Sequence, residues 1–329
     1  MEIISLLNNE TESSSHQDQF AIDVLMALSS SPKSLSSKYF YDDVGSDLFQ
    51  KITQHEDYYP TKTEFSILDQ IKDELPELLN EKVIDIIELG AGDGHKTSLL
   101  LNGFLDADCE VNYYPIDISE QAMQQLGENM EGHANLHIKG VVAEYCRGLR
   151  YVRDHSKNKA LVLFLGSNIG NFDRVQSQGF LRRIWQSMEP EDYVLIGFDL
   201  KKPVDVLVRA YNDSAGYTRD FNLNILQRIN NELGANFQLD KFQHYGIYNP
   251  VLGAMESYLL SLESQTVYIE KLRHSFEFDA FEPLHLEYSF KYLESDIHYL
   301  SERTGYEVMK NFTDENHRFM NSLWRVSKG

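Results

Sequence analysis

The stretch Ile84-Asp85-Ile86-Ile87-Glu88-Leu89-Gly90-Ala91-Gly92-Asp93-Gly94-His95-Lys96-Thr97 restricts the possible folds more than any other part of this chain. An apolar run ends at Glu88 and Leu89, glycines follow at alternate positions, and Leu99-Leu100-Leu101 lies just past Lys96. That pattern predicts a buried strand, a tight turn and a helix. Glycine at 90, 92 and 94 lets the backbone turn sharply and lets a ligand come close where a Cβ would block it. Open α/β sheets bind nucleotide-like ligands at such turns, at the carboxyl ends of their strands.

A dinucleotide site calls for Gly-x-Gly-x-x-Gly with an acid about 20 positions on. Here the third glycine comes one place early, and His95 stands in its position as a turn residue. The next well-placed acid is Asp117, which ends the apolar stretch Tyr113-Tyr114-Pro115-Ile116. Its carboxylate can accept from both hydroxyls of a ribose. Glu88 before Gly-x-Gly, followed by an acid after the next strand, resembles the S-adenosylmethionine (SAM) site of class I methyltransferases. Taken singly, the glycine run also fits a plain tight turn and Asp117 a solvated strand end.

Charge narrows the partners. With 51 acidic against 30 basic residues and a net charge of −21, the chain repels phosphate backbones and anionic lipid. No nucleic-acid or membrane partner is expected. The 2 cysteines, Cys109 and Cys146, are too few for a disulfide framework and suit a reducing cytoplasm. The 11 histidines show no metal-ligand spacing, so no metal is assigned. The expectation is a soluble, cytoplasmic, monomeric chain acting on a small molecule.

Taken in order, residues 1 to about 19 are polar and read as frayed or only loosely docked, and a helix is predicted over Phe20 to Leu28. The tyrosine-rich segment from Lys38 to Glu64 reads as a turn-rich lid lined with hydroxyls. A helix is predicted over Glu64 to Leu79, and another over Ser119 to Leu126 with Ser119 as its cap. Strands are predicted at Leu136 to Val142 and Ala160 to Leu165, the latter opening into Gly166-Ser167-Asn168-Ile169-Gly170-Asn171. A helix over Phe180 to Met188 and a strand over Tyr193 to Leu200 follow. Beyond Pro203 come a helix over Phe221 to Leu233 and period-two segments at Ser257 to Leu262, Thr266 to Ile269, Ser275 to Phe278 and His285 to Phe290. A helix over Lys291 to Thr304 and a terminal hairpin, Tyr306 to Phe312 and Phe319 to Val326, complete the chain.

Six blocks, in order, carry a more specific likeness. Lys38-Tyr39-Phe40-Tyr41-Asp42, Tyr58-Tyr59-Pro60-Thr61-Lys62-Thr63-Glu64, Glu88-Leu89-Gly90-Ala91-Gly92, Pro115-Ile116-Asp117-Ile118-Ser119, the segment Phe164 to Asn171, and Tyr211-Asn212-Asp213-Ser214-Ala215-Gly216 resemble the histidine-specific Nα-methyltransferases of ergothioneine biosynthesis. The resemblance implies a Rossmann-like class I SAM methyltransferase sheet over 64–200 and 291–329. It implies an α+β substrate-binding domain formed by the N-terminal segment, 1–63, and a late insertion, 201–290. It further implies that Tyr41, Gly90, Lys96, Asp117, Glu144 and Tyr145 surround SAM. Tyr59, Gly166, Asn171 and Tyr211 would hold the amino acid, with Tyr59 and Asn171 nearest the chemistry, and Glu287 and Ser289 would read an imidazole ring. Two positions depart from the family: Glu144 stands where an Asp is usual, and Ser257 in Met255-Glu256-Ser257 where a methionine shapes the pocket. A small polar residue at 257 makes room for a larger or modified ring.

Methyl transfer asks a site for positioning and exclusion of water rather than for a nucleophilic side chain. The reading is therefore a SAM-dependent N-methyltransferase acting on the α-amino group of histidine or a close derivative. Its alternative methylates a ring nitrogen of histidine or 5-thiohistidine, as in ovothiol biosynthesis. A nicotinamide-dependent dehydrogenase needs different glycine spacing, and a silent amino-acid sensor would bind both ligands without turnover.

Overall fold

The apolar run at Val83–Leu89 is the centre of a large sheet, buried from Ile84 onward because helices cover both of its faces. The computed structural model describes residues 1–6, 11–92, 94–130 and 132–328, and only the backbone of 11–16. Asp93, part of the glycine run, lies outside the described residues.

In chain order the elements are β1 (Glu2–Ser5), α1 (Thr11–Ser29), β2 (Lys33–Ser34), α2 (Asp43–Gln54), α3 (Tyr59–Ile71), α4 (Glu74–Leu79), β3 (Val83–Leu89), α5 (His95–Asp106), β4 (Glu110–Asp117) and α6 (Glu120–Asn129). Then come β5 (Leu136–Val142), α7 (Tyr145–His155), β6 (Lys159–Phe164), α8 (Arg174–Ser187), β7 (Tyr193–Asp199), α9 (Val204–Ala210) and α10 (Tyr217–Leu233). The remainder is β8 (Phe242–Asn249), β9 (Ala254–Ser261), β10 (Gln265–Ile269), β11 (His274–Phe278), β12 (Pro283–Phe290), α11 (Glu294–Thr304), β13 (Tyr306–Thr313) and β14 (Phe319–Val326).

Two compact units divide the chain. The first comprises Met1–Asn8, Lys62–Lys201 and Lys291–Gly329. Its sheet has the order β1-β5-β4-β3-β6-β7-β14-β13. Strands β1 to β7 in this sheet run parallel, β14 is antiparallel to β7, and β13 to β14. The terminal hairpin is thus as expected, and the unit is an α/β sheet, parallel except for that hairpin. Chain order reverses between β3 and β6, so their carboxyl ends flank a topological switch point. Leu100, Phe104 and Met123 pack with Ile84, Ile86 and Tyr113 in the core of this unit.

The second unit comprises Asn9–Thr61 and Lys202–Phe290. It has a four-stranded sheet, β2-β12-β9-β8, and a separate hairpin, β10-β11. Phe221, Ile225 and Ile229 of α10 pack with Phe40, Leu259 and Leu284.

Several expectations are corrected. Glu2–Ser5 is not frayed: it adds a parallel edge strand in register with Lys139 to Val142, which places it in the first unit. The tyrosine-rich segment is mostly helical. Asp42 caps α2 by accepting from the Gly45 N–H at 2.7 Å, and Pro60 sits in the first turn of α3, where its missing N–H costs nothing. The helix foreseen from Glu64 therefore starts at Tyr59 and is interrupted between Ile71 and Glu74. Helices α7 and α9 and strand β8 were not foreseen. His95 begins α5 and stacks on Phe65, with ring centroids 5.1 Å apart. Ser119 does cap α6, accepting from the Ala122 N–H.

Candidate active site

At the end of β3 the chain turns through Gly90 and Gly92, with φ of 79° and 54°. These left-handed values strain any residue with a side chain. The Gly90 N–H donates to the Ile116 carbonyl, tying the turn to the end of β4. There the Asp117 carboxylate accepts from the backbone N–H groups of Ser119, Ile118 and Gly92. Burial nevertheless leaves its pKa above the usual carboxylate range. A Cβ at Gly90 would lie 2.9 Å from the Tyr145 hydroxyl, whereas one at Gly92 would meet no atom within 4 Å. Gly90, Asp117 and Tyr145 thus come together around a glycine that faces open space, a cradle suited to a ligand with vicinal hydroxyls. Tyr145 packs edge-on to Phe164, and burial pushes its phenol far above the ordinary value, so it stays protonated. Glu144, at the N-cap of α7, is exposed.

Beneath the turn Glu88 is buried, accepting from the Thr97 hydroxyl at 2.5 Å and from the Tyr113 hydroxyl. Burial raises its pKa to about 7 against those hydrogen bonds. Lys96 does not stand free at the helix start: its ammonium meets the Glu64 carboxylate at 2.6 Å. Glu64, 0% exposed, also accepts from the Gly166 N–H at 3.0 and 2.9 Å and from Asn321 Nδ2 at 3.1 Å.

The end of β6 is a second tight turn. Gly166 and Ser167 are both left-handed, at φ 74° and 59°, and a 3-10 turn spans Asn168–Asn171. A non-glycine residue in that region costs on the order of 1 kcal/mol, so the surroundings must hold it. The Asp199 N–H donates to Ser167 Oγ at 3.0 Å, and the Tyr292 hydroxyl donates to the Ile169 carbonyl at 3.2 Å. Behind them Asp199 and Lys291 form a buried ion pair at 2.7 Å. Asn171, half-buried, is presented at the end of this braced turn.

In the second unit the central strand β9 carries Met255, Ser257 and Leu259 on one face, by the period of two. Met255 packs with Leu207 and Ala210 of α9, and Leu259 lies in the cluster built on α10, so this is the helix-covered face. Across the ladder Ser257 pairs with Glu287 and Met255 with Ser289. The register shifts between His285 and Glu287, an irregularity that turns Glu287 and Ser289 onto the same face as Ser257. The Tyr211 hydroxyl donates to Ser289 Oγ at 2.6 Å. The Tyr211 carbonyl lies 2.9 Å from His244 Nε2, and burial lowers the pKa of that histidine, keeping it neutral. Lys202 donates to the Tyr59 hydroxyl at 2.7 Å and lies over its ring. Asp57 accepts from the Ser214 N–H and hydroxyl, joining the segment before Tyr59 to the turn after Tyr211. Tyr41 is 44% exposed, its ring against Phe49 and Phe221.

The structure therefore groups Gly90, Lys96, Asp117, Tyr145, Gly166 and Asn171 at strand ends of the first unit. In the second unit Ser257, Glu287 and Ser289 share one sheet face, with Tyr211 bonded to Ser289 and Tyr59 packed near Met255 against it. Sequence reading missed Glu64, Lys202 and His244. Glu64 carried a signal, since it occupies the apolar stripe Ile67, Leu68, Ile71 at helical spacing, where a charge is buried only with partners.

Residues 20–326 match the family model described as histidine-specific methyltransferase, SAM-dependent. The chain is 35% identical over 277 residues to the histidine N-alpha-methyltransferase of Mycolicibacterium smegmatis, covering 84% of this chain and 85% of that protein. It is 32% identical over 321 residues to the Mycobacterium tuberculosis protein of the same name, covering 97% and 98%. It is also similar to ergothioneine biosynthesis protein 1 of Schizosaccharomyces pombe, 29% identical over 313 residues, 89% of this chain and 39% of that longer protein. With a match spanning almost its whole length, the chain belongs to the SAM-dependent, histidine-specific methyltransferase family.

Proposed function

We propose that this enzyme methylates the α-amino nitrogen of histidine, with trimethylation the expected extent. SAM supplies an electrophilic methyl carbon on a sulfonium. The open space at Gly92, whose N–H bonds the Asp117 carboxylate, beside Gly90 and Tyr145, suits an adenosyl group, and it is the observation that carries the cofactor assignment. In this reading Gly90, Lys96, Asp117, Glu144, Tyr145 and Tyr41 hold SAM. Tyr59, Gly166, Asn171, Tyr211, Ser257, Glu287 and Ser289 hold the amino acid.

The attacking nitrogen must be unprotonated. A free α-amino group, with a pKa of about 8, needs only a modest downward shift to be largely neutral near pH 7. A carboxamide at Asn171 orients that amine without stabilising its ammonium form as a carboxylate would. Glu287 accepts a ring N–H of the substrate, and Tyr211 with Ser289 completes a hydroxyl pair beside it. The second unit serves as the substrate-binding part, and the protein works as a cytoplasmic monomer. No helix among the described residues is long and apolar enough to cross a membrane.

Initial rates of S-adenosylhomocysteine (SAH) release with histidine, 5-thiohistidine and tryptophan test the reading. Histidine is expected to give the highest kcat/KM. A higher value for either of the others would overturn the substrate assignment.

A further inference from the structure

Glu64 belongs to none of the roles assigned above, yet four elements are shaped around its carboxylate. Gly166 at the end of β6 donates its N–H to both oxygens, Lys96 of α5 its ammonium, and Asn321 of β14 its amide. On β7 the chain has no side chain at Gly197, where a Cβ would lie 2.3 Å from Glu64 Oε1. A fully buried carboxylate paired with a partly exposed lysine for packing alone is commonly no better than an apolar residue of the same volume, because desolvation offsets the attraction. A glycine in the interior of a strand is a further cost. These costs are borne at the one place where the lysine beside the glycine turn meets the amide that starts the Asn171 turn. The Lys96 ammonium lies 3.5 Å from where a Gly166 Cβ would stand, so the two groups are neighbours on one carboxylate.

We propose that Glu64 is a positioning residue: its carboxylate fixes the Lys96 ammonium and the Gly166 amide in one arrangement, so that the cofactor side and the acceptor side of the site are set together. The inference rests on the assignment of Lys96 to SAM and Gly166 to the amino acid. A single carboxylate can do both because it has acceptor sites for several donors at once. Replacing it by an amide separates the functions. Glu64→Gln retains a carbonyl oxygen for the Gly166 N–H but not the charge that holds Lys96.

Calorimetry with SAH on the wild type, Glu64→Gln, Lys96→Met and the double variant, with KM for histidine measured in parallel, provides the test. Glu64→Gln is expected to weaken SAH binding about tenfold while moving the histidine KM less than about threefold. The double variant is expected to bind SAH no worse than Lys96→Met, because the two residues act as one unit. Glu64→Ala, if it folds, is expected to raise the histidine KM as well. SAH affinity unchanged or increased in Glu64→Gln, or losses that simply multiply in the double variant, would overturn the proposal. A wild type that gives no heat with SAH would instead refute the cofactor assignment, and the inference with it.

Discussion

Ser257 and Glu287 stand opposite one another across the β9–β12 ladder, on the face that the register shift after His285 gives to Glu287. Ser257 is buried, so a larger side chain there either overpacks a filled core or takes up space meant for a ligand. Overpacking costs about 1–3 kcal/mol, whereas filling a pocket changes selectivity. Ser257→Met is expected to leave Tm within about 2 °C and to lower kcat/KM for 5-thiohistidine relative to histidine by about tenfold or more. Thermal unfolding and paired kinetics decide it. A large fall in Tm with unaltered selectivity would make Ser257 a packing residue.

Asn171 ends a turn whose backbone is braced through Glu64, Ser167 and Tyr292. Asn171→Ala is expected to lower kcat by about a hundredfold and to change SAH affinity less than about threefold, because orientation of the amine is lost and the cofactor contacts are not. Equal losses in both would contradict the assigned role.

What the sequence made legible follows from where the decisive interactions are local. Gly90, Asp117 and Gly166 sit at strand ends, and strands covered on both faces announce themselves as apolar runs ended by glycine or acid. The N-terminal strand was not legible, since Glu2–Ser5 gains its order only from pairing with Lys139 to Val142. Nor was the 38–64 region, where the cap at Asp42 and the proline in the first turn of α3 outweigh the turn-like composition. Lys202 and His244 act on Tyr59 and Tyr211 from 143 and 33 residues away in the chain. The re-aiming of Glu287 depends on a local shift of strand register that no periodicity encodes.

Glu88 gives a pH signature. In the unfolded chain it ionises near pH ~4.3, but burial raises the folded carboxyl to about 7. Between those values the folded protein retains a proton that the unfolded chain has lost. The stabilisation is full below the lower value and is lost as pH rises through the upper one, a change on the order of 3–4 kcal/mol. Glu88→Gln removes this component, so its stability is expected to fall less steeply than that of the wild type between pH 5 and 8, in denaturant unfolding. Parallel profiles would show that Glu88 is ionised in the folded state.

The two glycines of the first turn separate stability from binding. Alanine at either adopts a left-handed backbone at a cost of about 1 kcal/mol. At Gly90 the new methyl also presses on the Tyr145 hydroxyl, while at Gly92 it projects into open space. Gly90→Ala is expected to lower Tm more than Gly92→Ala, and both are expected to weaken SAH binding about tenfold or more. Thermal unfolding with and without SAH checks the pair. Retained SAH affinity in Gly92→Ala would remove that glycine from the cofactor cradle.

The position of the new methyl groups tests the central claim most directly. The product formed from histidine and methyl-labelled SAM is to be examined by two-dimensional NMR for couplings from the labelled methyls. The expected result is correlation to the α-carbon, placing every methyl on the α-nitrogen. Correlation to the ring carbons would place the methyl on an imidazole nitrogen and contradict the account.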